Sequence, residues 1–145
     1  MIYFDTSFVL PLILREPTSD HVEAFLEKHQ GEAFVISHWT RLEVSSALAK
    51  QVRMRKLPTT IAKEMEVEFD NIVAEAFSVL PPLAEDFAVA GRYLQHHESG
   101  LRAGDALHLA VAANNHVNAL YTLDNTLLNA GAQLGLPVKP LTSRA

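Results

Sequence analysis

Short apolar segments alternate with helical segments along the whole chain. Four apolar segments are strand candidates, and helical periodicity follows each of them: Met1–Phe4, Ala33–Ser37, Ala76–Leu80 and Ala119–Thr122. Short apolar strands separated by helices favour a parallel sheet that helices cover on both faces. We therefore expect a three-layer α/β/α fold with a central, mainly parallel sheet of four or five strands. The fifth strand would be Pro137–Lys139, placed at an edge because of its prolines.

Helical periodicity, capping residues and Gly or Pro breaks together define the segments between the strands. The expected helices are Ser7–Leu14, Ser19–Lys28, Trp39–Val52 capped by Ser37, Thr59–Val73, Ala84–His96, Ala103–Asn115 and Asn125–Leu134. The sequence contains no internal repeat, low-complexity segment or linker. We therefore expect a single domain over residues 1–145.

Composition excludes several classes of protein. The chain is 48% hydrophobic and 20% charged, which is ordinary for a globular protein. No apolar run approaches the length of a membrane span, and the N-terminus lacks the pattern of a signal peptide. With no cysteine there is no disulfide framework, thiolate nucleophile or zinc–thiolate site. The simplest expectation is a cytoplasmic protein without a membrane partner.

Four acidic residues stand where this fold would bring them together. Asp5 and Asp124 directly follow strand candidates, while Glu43 and Asp105 lie in helices that begin at the same edge of the sheet. Sites in open α/β sheets form outside the carboxyl ends of the strands, near the point where the strand order reverses. Clustered carboxylates repel each other unless a cation neutralises them. The placement therefore favours a metal site.

Each acid also has a structural interpretation. Asp5 and Asp124 are both good helix N-caps, and each taken alone could be no more than that. Asp105 is harder to explain in this way, because its helical neighbours Leu101 and Leu109 are apolar and an unpaired buried charge is costly. Glu43 does not face Arg41, since residues two apart point to different sides of a helix. Four unrelated structural roles are a poorer explanation than one shared site.

The net charge of −5 comes from 17 acidic residues against 12 Lys and Arg. If the four acids are set aside, 13 acidic and 12 basic residues remain, so the rest of the chain is nearly neutral. Nucleic-acid binding would therefore have to rely on a local basic patch. Lys50–Lys56 carries four positive charges in seven positions. It is either a solvated helix end, where cations suit the helix dipole, or a phosphate-binding edge. Candidate RNA-binding residues are Lys50, Arg53, Arg55, Lys56 and Arg102.

These motifs together resemble the PIN-domain family. The N-terminal strand runs into Asp5–Ser7, a helix carries Glu43, and Leu101–Ala110 reads Leu-Arg-Ala-Gly-Asp-Ala-Leu-His-Leu-Ala. Thr122–Asp124 follows a later strand. More narrowly, the chain is similar to the VapC-like ribonuclease toxins of toxin–antitoxin pairs, and the resemblance extends over Ile2–Val138. The segment around Asp105 is its most specific part.

The resemblance implies a metal-dependent endoribonuclease that leaves 5′-phosphate and 3′-hydroxyl products. It places the acidic site, and the ligands of one or two Mg²⁺ or Mn²⁺ ions, on Asp5, Glu43, Asp105 and Asp124, with Thr6 or Ser7 as a hydroxyl helper. Oxygen ligands suit both ions, and water activated by such an ion would attack the RNA phosphodiester. The resemblance also implies a cognate antitoxin, a homodimer, and inhibition of translation or growth. The antitoxin could insert a cationic side chain among the acids.

Several alternatives follow from individual segments. A PIN-like module that binds RNA or a partner without cutting is the main one, and a phosphoryl-accepting receiver or phosphotransferase lacks the second acid it would need beside Asp5. His96 and His97 are expected at the surface, and His108 as a structural residue that is hydrogen-bonded within the helix–sheet packing. The amphipathic stretch Ile61–Val73, through Met65, Phe69 and Val73, would line a partner groove or pack into the core.

Overall fold

The computed structural model describes residues 1–142. This part of the chain contains five strands: β1 (Ile2–Phe4), β2 (Phe34–Ser37), β3 (Ser78–Leu80), β4 (Ala119–Thr122) and β5 (Val138–Pro140). It also contains seven α-helices: α1 (Thr6–Val9), α2 (Ser19–Lys28), α3 (His38–Arg53), α4 (Thr59–Ala76), α5 (Ala84–Tyr93), α6 (Ala103–Asn114) and α7 (Asn125–Gln133). The alternation predicted from the sequence is confirmed.

All five strands are parallel and follow the order β3-β2-β1-β4-β5. The chain proceeds from β1 outward to β2 and β3, then returns to the other side of β1 for β4 and β5. The strand order therefore reverses at β1, whose residue Phe4 pairs with Tyr121 of β4. Ligand sites of open α/β sheets lie at such a reversal, outside the carboxyl ends of the strands.

The sheet separates two apolar cores, because successive side chains of a strand point to opposite faces. Phe4 and Phe8 belong to the core beneath α2, α3 and α4. Tyr3 and Leu120 belong to the core beneath α5, α6 and α7. This arrangement confirms the three-layer α/β/α class. Among the described residues, no helix combines the length and apolarity that a membrane crossing requires.

The amphipathic face of α4 is part of the first core. Phe69 is 2% exposed and Val73 is buried beside it, while Met65 packs against the same cluster. The interpretation of this face as an open partner groove is therefore wrong, and core packing is correct. Two large apolar residues of α4 are exposed: Ile61, one turn before Met65, and Val67, which lies on the side of the helix opposite Phe69.

Two helices differ most from the sequence prediction. The expected helix Ser7–Leu14 is a four-residue α1 followed by a 3₁₀ turn at Leu10–Leu12, since Pro11 cannot donate the next helical hydrogen bond. Helix α5 ends at Tyr93, and a separate 3₁₀ turn at His97–Ser99 leads to Gly100 in the left-handed region at φ 71°. Glycine tolerates this conformation without steric cost.

Candidate active site

Asp5 is held at the end of β1 by hydroxyl and backbone donors. The Ser7 hydroxyl lies 2.8 Å from Oδ1 and 2.9 Å from Oδ2, and the Thr122 hydroxyl donates to Oδ2 at 2.7 Å. The backbone N–H of Phe8 donates to Oδ1 at 3.1 Å, so Asp5 is also the N-cap of α1. Burial raises the pKa of Asp5, while the charge of His108 and these hydrogen bonds oppose that rise. Its carboxylate is 3% exposed and closely fixed.

Asp124 is connected to Asp5 through the end of β4. Its backbone N–H donates to the Thr122 hydroxyl at 3.0 Å, and that hydroxyl donates to Asp5. The Asp124 side chain caps α7 by accepting from the backbone N–H groups of Thr126 and Leu127. Asp5 and Asp124 are therefore both N-caps, and both still lie at the carboxyl edge of the sheet.

Glu43 enters the same edge from α3, in the second turn of the helix. Its Oε1 atom accepts from the Thr6 hydroxyl at 2.7 Å and lies 2.5 Å from Nε2 of His108. Burial raises the pKa of Glu43, but the hydrogen bonds and charge of His108 and the bond from Thr6 outweigh it. The net effect is a pKa below the ordinary value. Glu43 is thus held ionised.

Asp105 has a different environment. It lies in the first turn of α6, where the backbone N–H of Arg102 supports it, and no side-chain donor within residues 1–142 hydrogen-bonds to it. Its pKa is raised, first by burial and then by the negative charges of Asp124 and Glu43, against an opposing influence of His108. Two other acids of the site therefore lie within electrostatic reach of Asp105.

The four acids share one edge without closing on one point. Among the described residues, no three His, Asp or Glu side chains are grouped closely enough to hold a metal ion between them. Their donor chemistry nevertheless fits Mg²⁺ or Mn²⁺, since every candidate ligand is a carboxylate oxygen. Mg²⁺ commonly uses one or two carboxylates and completes its coordination with waters and substrate phosphates. The acid set fits such a partly hydrated ion rather than a protein cage.

Comparisons with known proteins show the family to which the chain belongs. A family model described as PIN domain matches residues 2–132. The chain belongs to the PIN-domain family. It is 28% identical over 144 residues to ribonuclease VapC35 of Mycobacterium tuberculosis, with 95% of each protein covered. The resemblance predicted from the sequence is confirmed.

Solved structures share the PIN fold at low sequence identity. VapC20 of Mycobacterium tuberculosis, described as a sarcin–ricin loop cleaving toxin, superposes with a TM-score of 0.72 at 20% identity, covering 90% of this chain and 95% of that one. VapBC2 of Rickettsia felis, described as bound to a DNA fragment from its promoter, gives a TM-score of 0.73 at 16% identity, covering 98% of this chain and 100% of that one. At this level of identity the likeness concerns the fold.

His108 contributes more to this PIN site than its sequence position indicated. It is 2% exposed, and its Nδ1 atom lies 2.7 Å from the Tyr3 hydroxyl while Nε2 faces Glu43. The hydroxyl of Tyr3 also bonds to that of Ser37 at 3.0 Å. The expectation that His108 is hydrogen-bonded within the helix–sheet packing is confirmed, and one of its partners is Glu43. The signal in the sequence was its i+3 spacing from Asp105, which places both on neighbouring helix positions.

Gly104 has a role at the site that the sequence analysis did not identify. A Cβ atom there would lie 3.0 Å from Oε2 of Glu43 and 3.3 Å from the ring of Trp39. The absence of a side chain lets α6 approach α3 closely at this point. Gly104 therefore helps to set the separation between Glu43 and Asp105, a role that depends on contacts between helices and is invisible in a local motif.

The predicted RNA-binding residues separate into two groups. Arg102 is exposed and immediately precedes α6, so it lies beside Asp105. Lys50 and Arg53 end α3, and Arg55 and Lys56 follow it. Because α3 begins at the acidic edge and rises about 1.5 Å per residue, its basic end lies roughly 15 Å along the helix from Glu43. These four cations do not adjoin the acids.

Proposed function

We propose that this PIN domain is a divalent-metal-dependent endoribonuclease and the toxin of a toxin–antitoxin pair that inhibits translation or growth. The observation that carries the proposal is the environment of Asp105. Its half-buried carboxylate experiences the negative charges of Asp124 and Glu43, and within residues 1–142 no Lys or Arg forms an ion pair with it. Such an arrangement of like charges is favourable once a cation is bound.

Asp5, Glu43, Asp105 and Asp124 would hold the ion, directly or through water. A bound Mg²⁺ or Mn²⁺ supplies Lewis acidity, which neutralises charge on the phosphodiester and makes water a better nucleophile. Asp5 offers a carboxylate already oriented by Ser7 and Thr122. Asp105 offers the carboxylate with the fewest competing donors. Thr6 and His108 keep Glu43 ionised and oriented.

The RNA would approach along the acidic edge. Arg102 is the best placed of the predicted RNA-binding residues to contact a phosphate next to the cleaved bond, because it directly precedes the helix of Asp105. Lys50, Arg53, Arg55 and Lys56 would bind a more distant part of the strand. The similarity to VapC35, whose name describes a ribonuclease, supports the choice of RNA as substrate.

An antitoxin and a second copy of the chain are the proposed protein partners. The likeness to the VapBC2 structure supports the first of these. Several large apolar side chains are exposed and available for such contacts: Leu42, Val67, Leu83 and Phe87. The mass of the purified chain by light scattering, with and without Phe87→Asp, tests the homodimer. A dimer that is unchanged by this substitution would exclude α5 from the interface.

The test of the proposed function is cleavage of end-labelled RNA by the purified chain with Mg²⁺, with Mn²⁺ and with a chelator. Cleavage should require a divalent ion, leave 5′-phosphate ends and disappear in Asp105→Asn. Thermal unfolding of both chains in the same buffers provides the control for folding. Cleavage that persists in Asp105→Asn contradicts the proposal. Metal and RNA binding without any cleavage would favour the non-catalytic module instead.

A further inference from the structure

A cavity of about 370 Å³ lies away from the four acids, between α2 and the β4–β5 side of the sheet. We call it the α2–β5 pocket; its walls come from α2 and the following His29, from Tyr121 of β4, and from Lys139–Thr142. Volumes of this order hold small organic ligands in proteins. The mechanism above makes no use of this cavity.

Aromatic rings form one wall of the α2–β5 pocket. Phe25 stacks on His29 with ring centroids 4.1 Å apart and planes inclined by 24°. Phe25 also contacts Tyr121, with ring centroids 4.5 Å apart and planes inclined by 54°. Phe25, His29 and Tyr121 are each only partly buried. A further flat ring can therefore extend this stack, and proteins bind unpaired bases in this way.

Two lysines give the same pocket a positive charge. Lys28 and Lys139 both line it and both are exposed. Within residues 1–142, neither lysine lies within ion-pair distance of an acidic side chain. The chain as a whole carries a net negative charge, whereas this aromatic cavity is flanked by two positively charged side chains. A ligand that combines a planar ring with a phosphate complements both features.

The pocket is close to the proposed cleavage site. Tyr121 precedes Thr122, the residue that donates to Asp5, and Lys139 is the register partner of Tyr121 on β5. Two strand spacings, about 10 Å, separate β5 from β1 across the sheet. One strand of RNA can therefore contact both places.

We propose that the α2–β5 pocket binds one unpaired nucleotide of the RNA strand, with its base against the aromatic rings and its phosphate beside Lys28 and Lys139. This inference rests on the proposed function, because it names how that substrate is held. It makes the pocket a recognition subsite, separate from the acids that carry out the chemistry. An acidic peptide is the competing occupant, and the rings favour the nucleotide because three of them lie side by side.

Equilibrium binding to the inactive Asp105→Asn chain tests the proposal without cleavage. The probes are short fluorescein-labelled oligo-A, oligo-C, oligo-G and oligo-U, followed by fluorescence anisotropy. Ala24→Phe places a ring inside the pocket, because Ala24 is exposed and lines it. We expect roughly tenfold weaker binding, in the range measured for one stacked base, and a smaller difference between the four oligonucleotides. The matched control Ala74→Phe, on an exposed position of α4, should bind like its parent.

A second variant tests the phosphate contact. Lys139→Glu should weaken binding to all four oligonucleotides and reduce the salt dependence of log Kd by about 0.7, the value for one phosphate on a single strand. Lys63→Glu on α4 is the control of equal charge. Affinities unchanged in Ala24→Phe and Lys139→Glu, or lowered equally in the controls, overturn the proposal. So does a result in which both pocket variants weaken binding of a fluorescein-labelled oligo-glutamate peptide and leave RNA binding unchanged.

The failure of this inference and the failure of the proposed function give different results. Metal-dependent cleavage by the parent chain with binding insensitive to the pocket variants would leave the nuclease and remove the subsite. Pocket-dependent binding by a parent chain that does not cleave would leave the subsite and remove the nuclease.

Discussion

Asp5 and Asp105, both assigned to the proposed site, are held in opposite ways. Asp5 is buried and receives hydrogen bonds from Ser7, Thr122 and the backbone of Phe8. Asp105 is half-buried, has one backbone donor, and faces the charges of other acids. The fold itself therefore orients the first carboxylate, while the second remains electrostatically unbalanced. A carboxylate whose hydrogen bonds are already made, such as that of Asp5, is a fixed ligand. A carboxylate that is repelled by other acids, such as that of Asp105, is the one that a bound cation stabilises most.

The largest expected effect separates the two roles. Asp5→Asn and Asp105→Asn should each reduce single-turnover RNA cleavage by on the order of 100-fold or more, since the cation supplies several kcal/mol of stabilisation to the transition state. Only Asp5→Asn should also destabilise the chain, by about 1–2 kcal/mol, because the amide nitrogen of Asn cannot accept the hydrogen bond that Thr122 donates to Oδ2 of Asp5. Urea unfolding measures that difference. Equal stability of the two variants would break the comparison between the acids.

A tenfold decrease in cleavage is expected from substitution of Gly104, which lies in α6 where this helix contacts α3. Gly104→Ala places a methyl group 3.0 Å from Oε2 of Glu43, so Glu43 or Trp39 must shift. Moving a ligand of the site should lower cleavage about tenfold. Gly91→Ala in α5 is the matched control, because its added methyl group would meet no atom within 4 Å outside its chain neighbours and its own helix backbone. Its cleavage rate should be unchanged and its stability slightly raised. Equal rates in both variants would show that Gly104 does not set the site.

Thermal stability provides a test of the unbalanced charge itself. In a chelator, Asp105→Asn should melt a few degrees higher than the parent chain, because it removes one of several mutually repelling carboxylates. Saturating Mg²⁺ or Mn²⁺ should raise the melting temperature of the parent and have much less effect on the variant. If neither Mg²⁺ nor Mn²⁺ changes the melting temperature of the parent chain, the acids do not bind metal.

The pH dependence of that difference follows from the raised pKa of Asp105. When the pKa is higher in the folded than in the unfolded chain, the favourable contribution is complete below the unfolded value. It is lost as the pH rises through the folded value. The stability advantage of Asp105→Asn without metal should therefore be absent in acid and appear as the pH rises through the Asp105 pKa. Urea unfolding at a series of pH values measures it, and an advantage that grew in acid would reverse the assignment.

The sequence predicted those parts of the molecule that follow from local pattern. Alternating strands and helices identified the parallel sheet, and the position of Asp5 and Asp124 after strands placed both residues at its carboxyl edge. The role of Gly104 was not predicted, because it arises from the close approach of α6 to α3. The Lys50–Lys56 segment was left open between a solvated helix end and a phosphate-binding edge, and the length of α3 now places it away from the acids. The α2–β5 pocket joins α2 to β4 and β5, which are distant in sequence, and no motif marks it.

The smallest expected effect concerns the buried support of Glu43. Tyr3→Phe removes the hydroxyl that contacts Nδ1 of His108 and leaves the ring in the core. His108 keeps its contact with Glu43, so only the orientation of the imidazole ring should be less well fixed. Cleavage should therefore fall only about two- to threefold, less than on direct loss of a ligand contact. The buried hydroxyl of Ser37 also loses a partner, which should cost about 1 kcal/mol of stability. Measuring cleavage and unfolding together distinguishes the two consequences. A loss of cleavage as large as that of Asp105→Asn would mean that His108 acts in the chemistry itself. The site would then depend on His108 as well as on the fixed Asp5 and the unbalanced Asp105.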